Sequence, residues 1–198
     1  MVKRIEFTEY GGPEVLSFCE YTPAPLGPDE IRIENYAIGV NYIDTYVRNG
    51  LYPTAQFPSG LGTEAAGVVV KTGAHVLGFN PGDRVVYAQS PLGAYSEIHQ
   101  VDQHAVAHLP DHISFEQAAA SFLKGMTVYY LLNQTYAIKQ DEIFLFHAAA
   151  GGVGLIACQW AKALGAKMIG TAGSAEKVQR AKAAGAWEVI DYQKENIP

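Results

Sequence analysis

Cysteine is scarce in this chain. Cys19 and Cys158 are the only two, and neither has a nearby partner in C-x-x-C spacing. That excludes a disulfide framework and points to a reducing compartment. Positive charge is also in short supply: 14 Lys and Arg stand against 20 Asp and Glu, a net charge of -6 and a pI near 5.5. A protein that grips a nucleic-acid backbone carries a basic face, so this balance argues against nucleic acid as a partner. It leaves room for a local cationic site for one phosphate group. Long apolar runs are missing too. No stretch reaches transmembrane length, and the opening MVKRIEF lacks the apolar segment of a signal peptide. The expectation is a soluble cytoplasmic chain whose 198 residues, 48% hydrophobic, make one large domain or two small ones.

The texture of the chain changes near residue 113. Before it, short runs rich in Gly, Pro, Val and Tyr are broken by turns: EIRIENYAIGV, AAGVVVKTG, DRVVYAQ, AYSEIHQV. This is an all-β pattern. The turn Asn80-Pro81-Gly82-Asp83 precedes a strand from Arg84 to Tyr87, and Tyr42 to Asn49 suits one or two helical turns. After residue 113 the pattern is α/β. Ser114 and Gln117 form an S-x-x-Q capping box before FEQAAASFL, and a second helical stretch runs from about Thr127 to Leu132. Ile143 to His147 is a short apolar strand. Helices from Gly152 to Leu164 and after Ser174 stop at Gly165 and Gly185, followed by strands at Lys167–Thr171 and Trp187–Ile190. AKALGA at 161–166 recurs as AKAAGA at 181–186. Two such copies behind a first strand give βαβαβ, one mononucleotide-binding half. The second half of a doubly wound sheet has no sequence here, so the reading is of a carboxy-terminally truncated chain.

The loop HAAAGGVG at 147–154 fits the dinucleotide fingerprint as A-x-G-x-x-G, with Ala149 in place of the first glycine. Gly151, Gly152 and Gly154 preserve the close backbone approach to a pyrophosphate, and the helix behind them aims free N–H groups at the anion. An NAD site places an acid about 20 residues further on. Here that stretch reads Gly170-Thr171-Ala172-Gly173-Ser174, with Lys177 beyond it. A hydroxyl, a helix N-terminus and an ammonium suit a 2′-phosphate, so NADPH fits better than NADH. Tyr192 can add a hydroxyl or a stacking face, or be an ordinary residue of the strand end.

These residues bring a family into view. Over its whole length the chain resembles the zinc-free quinone oxidoreductases, the zeta-crystallin-like branch of the medium-chain dehydrogenase/reductases, and most of all their bacterial NADPH:quinone reductases. The motifs are GGPEVL (11–16), VNYIDTYVRNGLYP (40–53), PSGLGTEAAGVV (58–69), GDRVVYAQSPLGAYSE (82–97), AAASFLKGMTVYYLL (118–132) and HAAAGGVGLIACQWAKALGAKMIGT (147–171). The resemblance implies an α/β fold: a GroES-like β domain over 1–125, then a partial (N-terminal half) Rossmann parallel sheet over 126–198 for NADPH. Zinc-dependent relatives carry a catalytic Cys and a G-H-E motif where this chain has Asn41 and Gly62-Thr63-Glu64. They also have a four-cysteine lobe that two cysteines cannot make, so no metal is expected.

The resemblance also implies roles for residues. Tyr42, Ile43, Asp44, Thr45 and Tyr46 border the nicotinamide end of a cleft between the domains. Tyr46 and Tyr52 line the quinone site in that cleft, beside Asn41. Thr63 and Thr127 lie near the nicotinamide, and Tyr130 contacts the cofactor. Gly152, Val153, Gly173, Ser174, Lys177 and Tyr192 hold the pyrophosphate and the adenosine phosphate. From the residues alone, Tyr42, Tyr46 and Tyr52 can stack on a flat quinone or simply close a β-domain core, and Asp44–Arg48 reads as a structural ion pair. His104, His108 and His112 are evenly spaced, but Pro110 interrupts them, and Gln100 to Leu109 reads as strand then loop rather than a metal face. His147 reads as packed, Cys158 as a small core residue, and Glu64 as a buried group that orients neighbours.

The function expected is NADPH-dependent quinone reduction, with no obligatory acid or base and with one- and two-electron transfer both open. The alternative is a non-catalytic NADPH-binding or structural, crystallin-like protein. Intact relatives are commonly dimers through the Rossmann domain; assembly of this chain and its particular quinone are not legible.

Overall fold

The computed structural model describes residues 1–89 and 91–195. The chain divides into two compact units, Met1–Leu123 and Lys124–Pro198.

The first unit is antiparallel β structure. Strands β1 (Val2–Phe7), β2 (Ser17–Tyr21) and β4 (Ser59–Gly60) make a small sheet in the order β2-β1-β4. The larger sheet runs β7-β3-β5-β6-β8, from β3 (Glu30–Ile38), β5 (Ala65–Thr72), β6 (Arg84–Tyr87), β7 (Ile98–Asp102) and β8 (Val106–His108). In β3 the alternation EIRI puts Ile31 and Ile33 wholly inside while Glu34 faces out, which is the period-2 logic of a half-buried strand. They pack with Val69, Val85, Tyr87 and Val101. β5 passes so close to β3 that a Cβ on Gly67 would lie 1.9 Å from the Glu34 carbonyl oxygen. A short helix, α1 (Tyr42–Arg48), follows β3. The 80–83 turn forms as expected: Gly82 takes φ 98° and the Asp83 N–H donates to the Asn80 carbonyl at 3.1 Å.

The second unit is a three-stranded parallel sheet in the order β11-β10-β9, from β9 (Ile143–Phe146), β10 (Lys167–Ala172) and β11 (Glu188–Asp191). Helices α3 (Gly152–Leu164) and α4 (Ala175–Ala184) join them. Both helices end on a left-handed glycine, Gly165 at φ 73° and Gly185 at φ 116°, as the sequence required. The repeated A-K-A-x-G-A thus marks two equivalent helix-to-strand turns. Small residues Ala157, Cys158, Ala161 and Ala181 let the helices sit close on Met168 and Val189. Trp160 packs against this core, and Trp187 is half exposed under the Lys167 ammonium.

Three local expectations change. The two helical stretches after Ser114 are one helix, α2 (Phe115–Tyr129), prolonged by a π-helical turn over Tyr130–Thr135. Gly125 does not interrupt it, because the glycine penalty of about 1 kcal/mol is small beside the burial of Ala118, Ala119 and Val128 on the same helix. The segment after Asp102 is not a loop: Val106–His108 pairs with β6, Tyr87 opposite Val106. The first parallel strand stops at Phe146, one residue short of His147.

Candidate functional site

The glycine-rich loop lies between β9 and α3, and its left-handed residue comes one position before the fingerprint's first. The left-handed position is Ala148, at φ 54°, while Ala149 is fully buried. Room for the Ala149 methyl comes from the neighbouring strand: a Cβ on Gly170 would fall 2.4 Å from it. Gly154 is required for close packing, since a Cβ there would lie 2.4 Å from the Ala148 carbonyl oxygen. The Gly151 N–H donates to that carbonyl at 2.8 Å, and the Leu155 N–H donates to the Gly151 carbonyl at 2.9 Å. The N–H groups of Gly152, Val153 and Gly154 are therefore those a helix start leaves for an anion. No acid stands in the first turn of α3.

A pocket of about 360 Å³ opens beside this loop. It brings together Gly151, Gly173, Lys177 and Tyr192, all foreseen from sequence, with His147, Ala148, Ala150, Thr171 and Ala172. None of these lining residues is a carboxylate. The Tyr192 hydroxyl lies over Gly173, where a Cβ would meet it at 2.3 Å. The Ser174 hydroxyl accepts the Lys177 N–H at 3.3 Å, so it caps α4 and holds the start of that helix toward the pocket. His147 is exposed, with Nδ1 3.3 Å from the Thr171 hydroxyl; it is not a packed core histidine, because the strand ends before it. Thr171 was missed. The signal available was its place at the end of a strand, facing a turn whose first glycine is absent. Cys158 is buried, its thiol 3.7 Å from the Ala149 carbonyl, and burial pushes its pKa up, which keeps it inert.

In the first unit, Tyr42, Tyr46 and Tyr52 form an edge-to-face series with ring centroids 5.3 and 5.5 Å apart. Tyr42 and Tyr52 are exposed, and the Tyr52 N–H donates to the Tyr46 carbonyl at 3.0 Å. Ile43 is also exposed, and the Thr45 hydroxyl donates to the Tyr42 carbonyl at 2.6 Å. Asp44 does not pair with Arg48. Its carboxylate is buried and turned inward, accepting the Asn41 N–H at 2.8 Å and the Tyr95 hydroxyl at 2.7 Å. The Arg48 guanidinium instead donates to the Gly11 carbonyl at 3.1 Å. A capping role won over the i,i+4 pair because α1 is only seven residues long and its first turn needs an acceptor. Burial, reinforced by Asp44, raises the Tyr95 pKa far above that of a free phenol, so Tyr95 stays a donor.

Asn41 is tied down as well: its amide donates at 2.7 Å to Glu64, which is fully buried. The other Glu64 oxygen accepts the Leu123 N–H at 2.6 Å. Glu64 thus orients neighbours, as expected of it. Thr63, beside it, is half-buried. Thr127 and Tyr130 lie in the second unit, at the end of α2 and the start of the π turn. Among the described residues no group of three or more His, Cys, Asp or Glu could hold a metal ion. Nor is any described helix long and apolar enough to cross a membrane.

Comparison with known proteins agrees with this architecture. The family described as "Alcohol dehydrogenase GroES-like domain" matches residues 27–111, and "Zinc-binding dehydrogenase" matches 152–198. A quinone oxidoreductase of Salmonella typhimurium is 67% identical over 197 residues, covering 100% of this chain and 60% of the relative. Among solved structures, a quinone oxidoreductase of Pseudomonas syringae superposes with TM-score 0.98 at 58% identity, over 100% of this chain and 61% of its own. The Escherichia coli quinone oxidoreductase complexed with NADPH superposes with TM-score 0.96 at 66% identity, over 98% of this chain and 60% of its own. The chain therefore spans about three-fifths of the length of these relatives.

Proposed function

We propose that the chain belongs to the quinone oxidoreductases of the medium-chain dehydrogenase/reductases, which it resembles along its whole length, and that it binds NADPH and serves its oxidation by a quinone. The observation that carries the proposal is the pocket at Gly151, Gly173, Lys177 and Tyr192. Its residues fit a dinucleotide with a 2′-phosphate. The start of α3 offers N–H groups to the pyrophosphate. Lys177 and the α4 N-terminus supply positive charge for the 2′-phosphate. The Tyr192 hydroxyl can reach the same group, and no lining carboxylate is present to favour a ribose 2′-OH instead.

Bound there, NADPH would supply the reducing equivalents, as a hydride or as single electrons. The protein's part is to orient and desolvate. We assign Asn41, Tyr46 and Tyr52 to the quinone, whose flat ring the two aromatic surfaces suit. Tyr42, Ile43, Asp44 and Thr45, with Thr63, Thr127 and Tyr130, are assigned to the nicotinamide side, and Gly152, Val153 and Ser174 to the phosphates. Glu64 holds Asn41 and Tyr95 holds Asp44, which fixes the segment that leads into α1. No side chain is assigned as an obligatory acid or base. The two free cysteines suit a reducing compartment, and we place the chain in the cytoplasm.

The test is a fluorescence titration with NADPH and NADH, followed by turnover with a soluble benzoquinone. NADPH binding at least roughly tenfold tighter than NADH, with turnover, is the expected result. Binding without turnover supports a non-catalytic NADPH-binding protein, and binding of neither nucleotide overturns the proposal for this chain.

A further inference from the structure

The turn before α3 carries an unpaid cost. Ala148 is left-handed at φ 54°, a conformation in which a residue with a Cβ is strained. The left-handed residue lies one position before Ala149, the place of the fingerprint's first glycine, and is not a glycine either. Something outside the loop must hold it, and the contacts converge on Thr171. The Ala148 N–H donates to the Thr171 hydroxyl at 3.2 Å. The Ala149 N–H donates to the Thr171 carbonyl at 3.0 Å. His147 Nδ1 lies 3.3 Å from the same hydroxyl. Three consecutive loop residues therefore meet one side chain and its own backbone.

The strand register makes this possible. β9 pairs with β10 only as far as Phe146 opposite Gly170. Thr171 is the next residue of β10, paired on its other side with Ile190. It has no strand partner toward β9 and faces the loop instead. It is 2% exposed, so the hydroxyl works where water does not compete for it.

We propose that Thr171 is a positioning residue for the dinucleotide phosphate loop, holding by hydrogen bonds a turn whose left-handed residue, Ala148, is not a glycine. The inference rests on the NADPH reading above. Thr171 consumes the N–H groups of Ala148 and Ala149, and the Ala148 carbonyl takes up that of Gly151. This leaves Gly152, Val153 and Gly154 as the donors presented to the diphosphate, and fixes where they point.

The test compares Thr171→Val, which keeps the β-branched shape and the carbonyl but loses the hydroxyl, with Thr171→Ser, which keeps the hydroxyl. Two readouts are taken on the full chain. The first is amide hydrogen exchange without ligand. Ala148 is exposed, so protection of its amide reports the hydrogen bond to Thr171. The second is binding of NADPH beside 2′-AMP, which bears the 2′-phosphate and no diphosphate. T171V is expected to lose protection at Ala148 and to bind NADPH about tenfold more weakly, with 2′-AMP affinity nearly unchanged and T171S close to the parent. Unchanged exchange at Ala148, an equal loss for both ligands, or failure of T171S to restore binding overturns the inference. A parent chain that binds 2′-AMP but not NADPH overturns the loop's part in binding. A parent that binds neither overturns the function proposed above, and exchange at Ala148 then decides the anchoring alone.

Discussion

Lys177 and Gly173 show how few side-chain groups define the pocket of the second unit. Gly173 contributes only the space in which the Tyr192 hydroxyl sits, and Lys177 contributes the one lysine or arginine among the lining residues. Removing that charge should act on one ligand and spare another. Lys177→Ala is expected to weaken NADPH binding roughly tenfold and to leave NADH within about twofold, as read by parallel titrations. His99 makes a prediction of a different kind. Its ring packs at 5.7 Å from Tyr87 and shares a hydrogen bond of 3.0 Å with the Pro91 carbonyl. Burial lowers its pKa from 6.5 to about 4. The unfolded chain therefore takes up the proton first. Stability from this site is whole above about pH 6.5 and is lost as the pH falls toward about 4, by an amount on the order of 2 kcal/mol. Denaturant midpoints at neutral and acid pH check it: His99→Gln should show a smaller acid loss than the parent.

At the scale of elements, the pairing of the glycine-rich loop with β10 is a trade of one methyl between neighbours. Ala149 carries the Cβ that the fingerprint would omit, and Gly170 omits the one that β10 could carry. Gly170→Ala alone should destabilise by about 1–3 kcal/mol through overpacking. Combined with Ala149→Gly it should recover most of that loss, giving a coupling of about 1–2 kcal/mol in a double-mutant cycle of unfolding free energies. Independent effects would mean that the two methyls do not compete. Much at this scale was legible beforehand. The helix-stopping glycines, the 80–83 turn and the βαβαβ order all rest on local chemistry carried by a few neighbouring residues. What was not legible depended on partners distant in sequence. β8 exists because β6 offers it a ladder. Asp44 faces Tyr95, 51 positions away, rather than Arg48. Thr171 reaches back across 23 positions to Ala148. Spacing within a segment carries no trace of such pairings.

At the scale of the whole chain, charge and chemistry are divided. Acid exceeds base within Met1–Leu123, whereas Lys124–Pro198 carries more lysine and arginine than acid. The overall acidity that argued against a polyanion partner is thus a property of the first unit, and the pocket lined by Lys177 lies in the other. Ligand binding should be felt unevenly for the same reason. At a free NADPH concentration a hundred times its Kd, mass action adds about 2.7 kcal/mol to the state that binds. Hydrogen exchange should slow more at the amides of β10 than at those of β5, and an equal effect on both would argue against a binding site built mainly from the second unit.

The placement of the two indoles has an optical consequence. Trp160 and Trp187 both belong to the second unit, while most of the 12 tyrosines belong to the first. Light at the red edge of the aromatic band, absorbed by indole and not by phenol, therefore interrogates the second unit alone. The unlabelled chain carries its own emitter on one side and a largely separate chromophore population on the other. Unfolding followed by emission and by phenol absorbance would record two different halves of the same molecule.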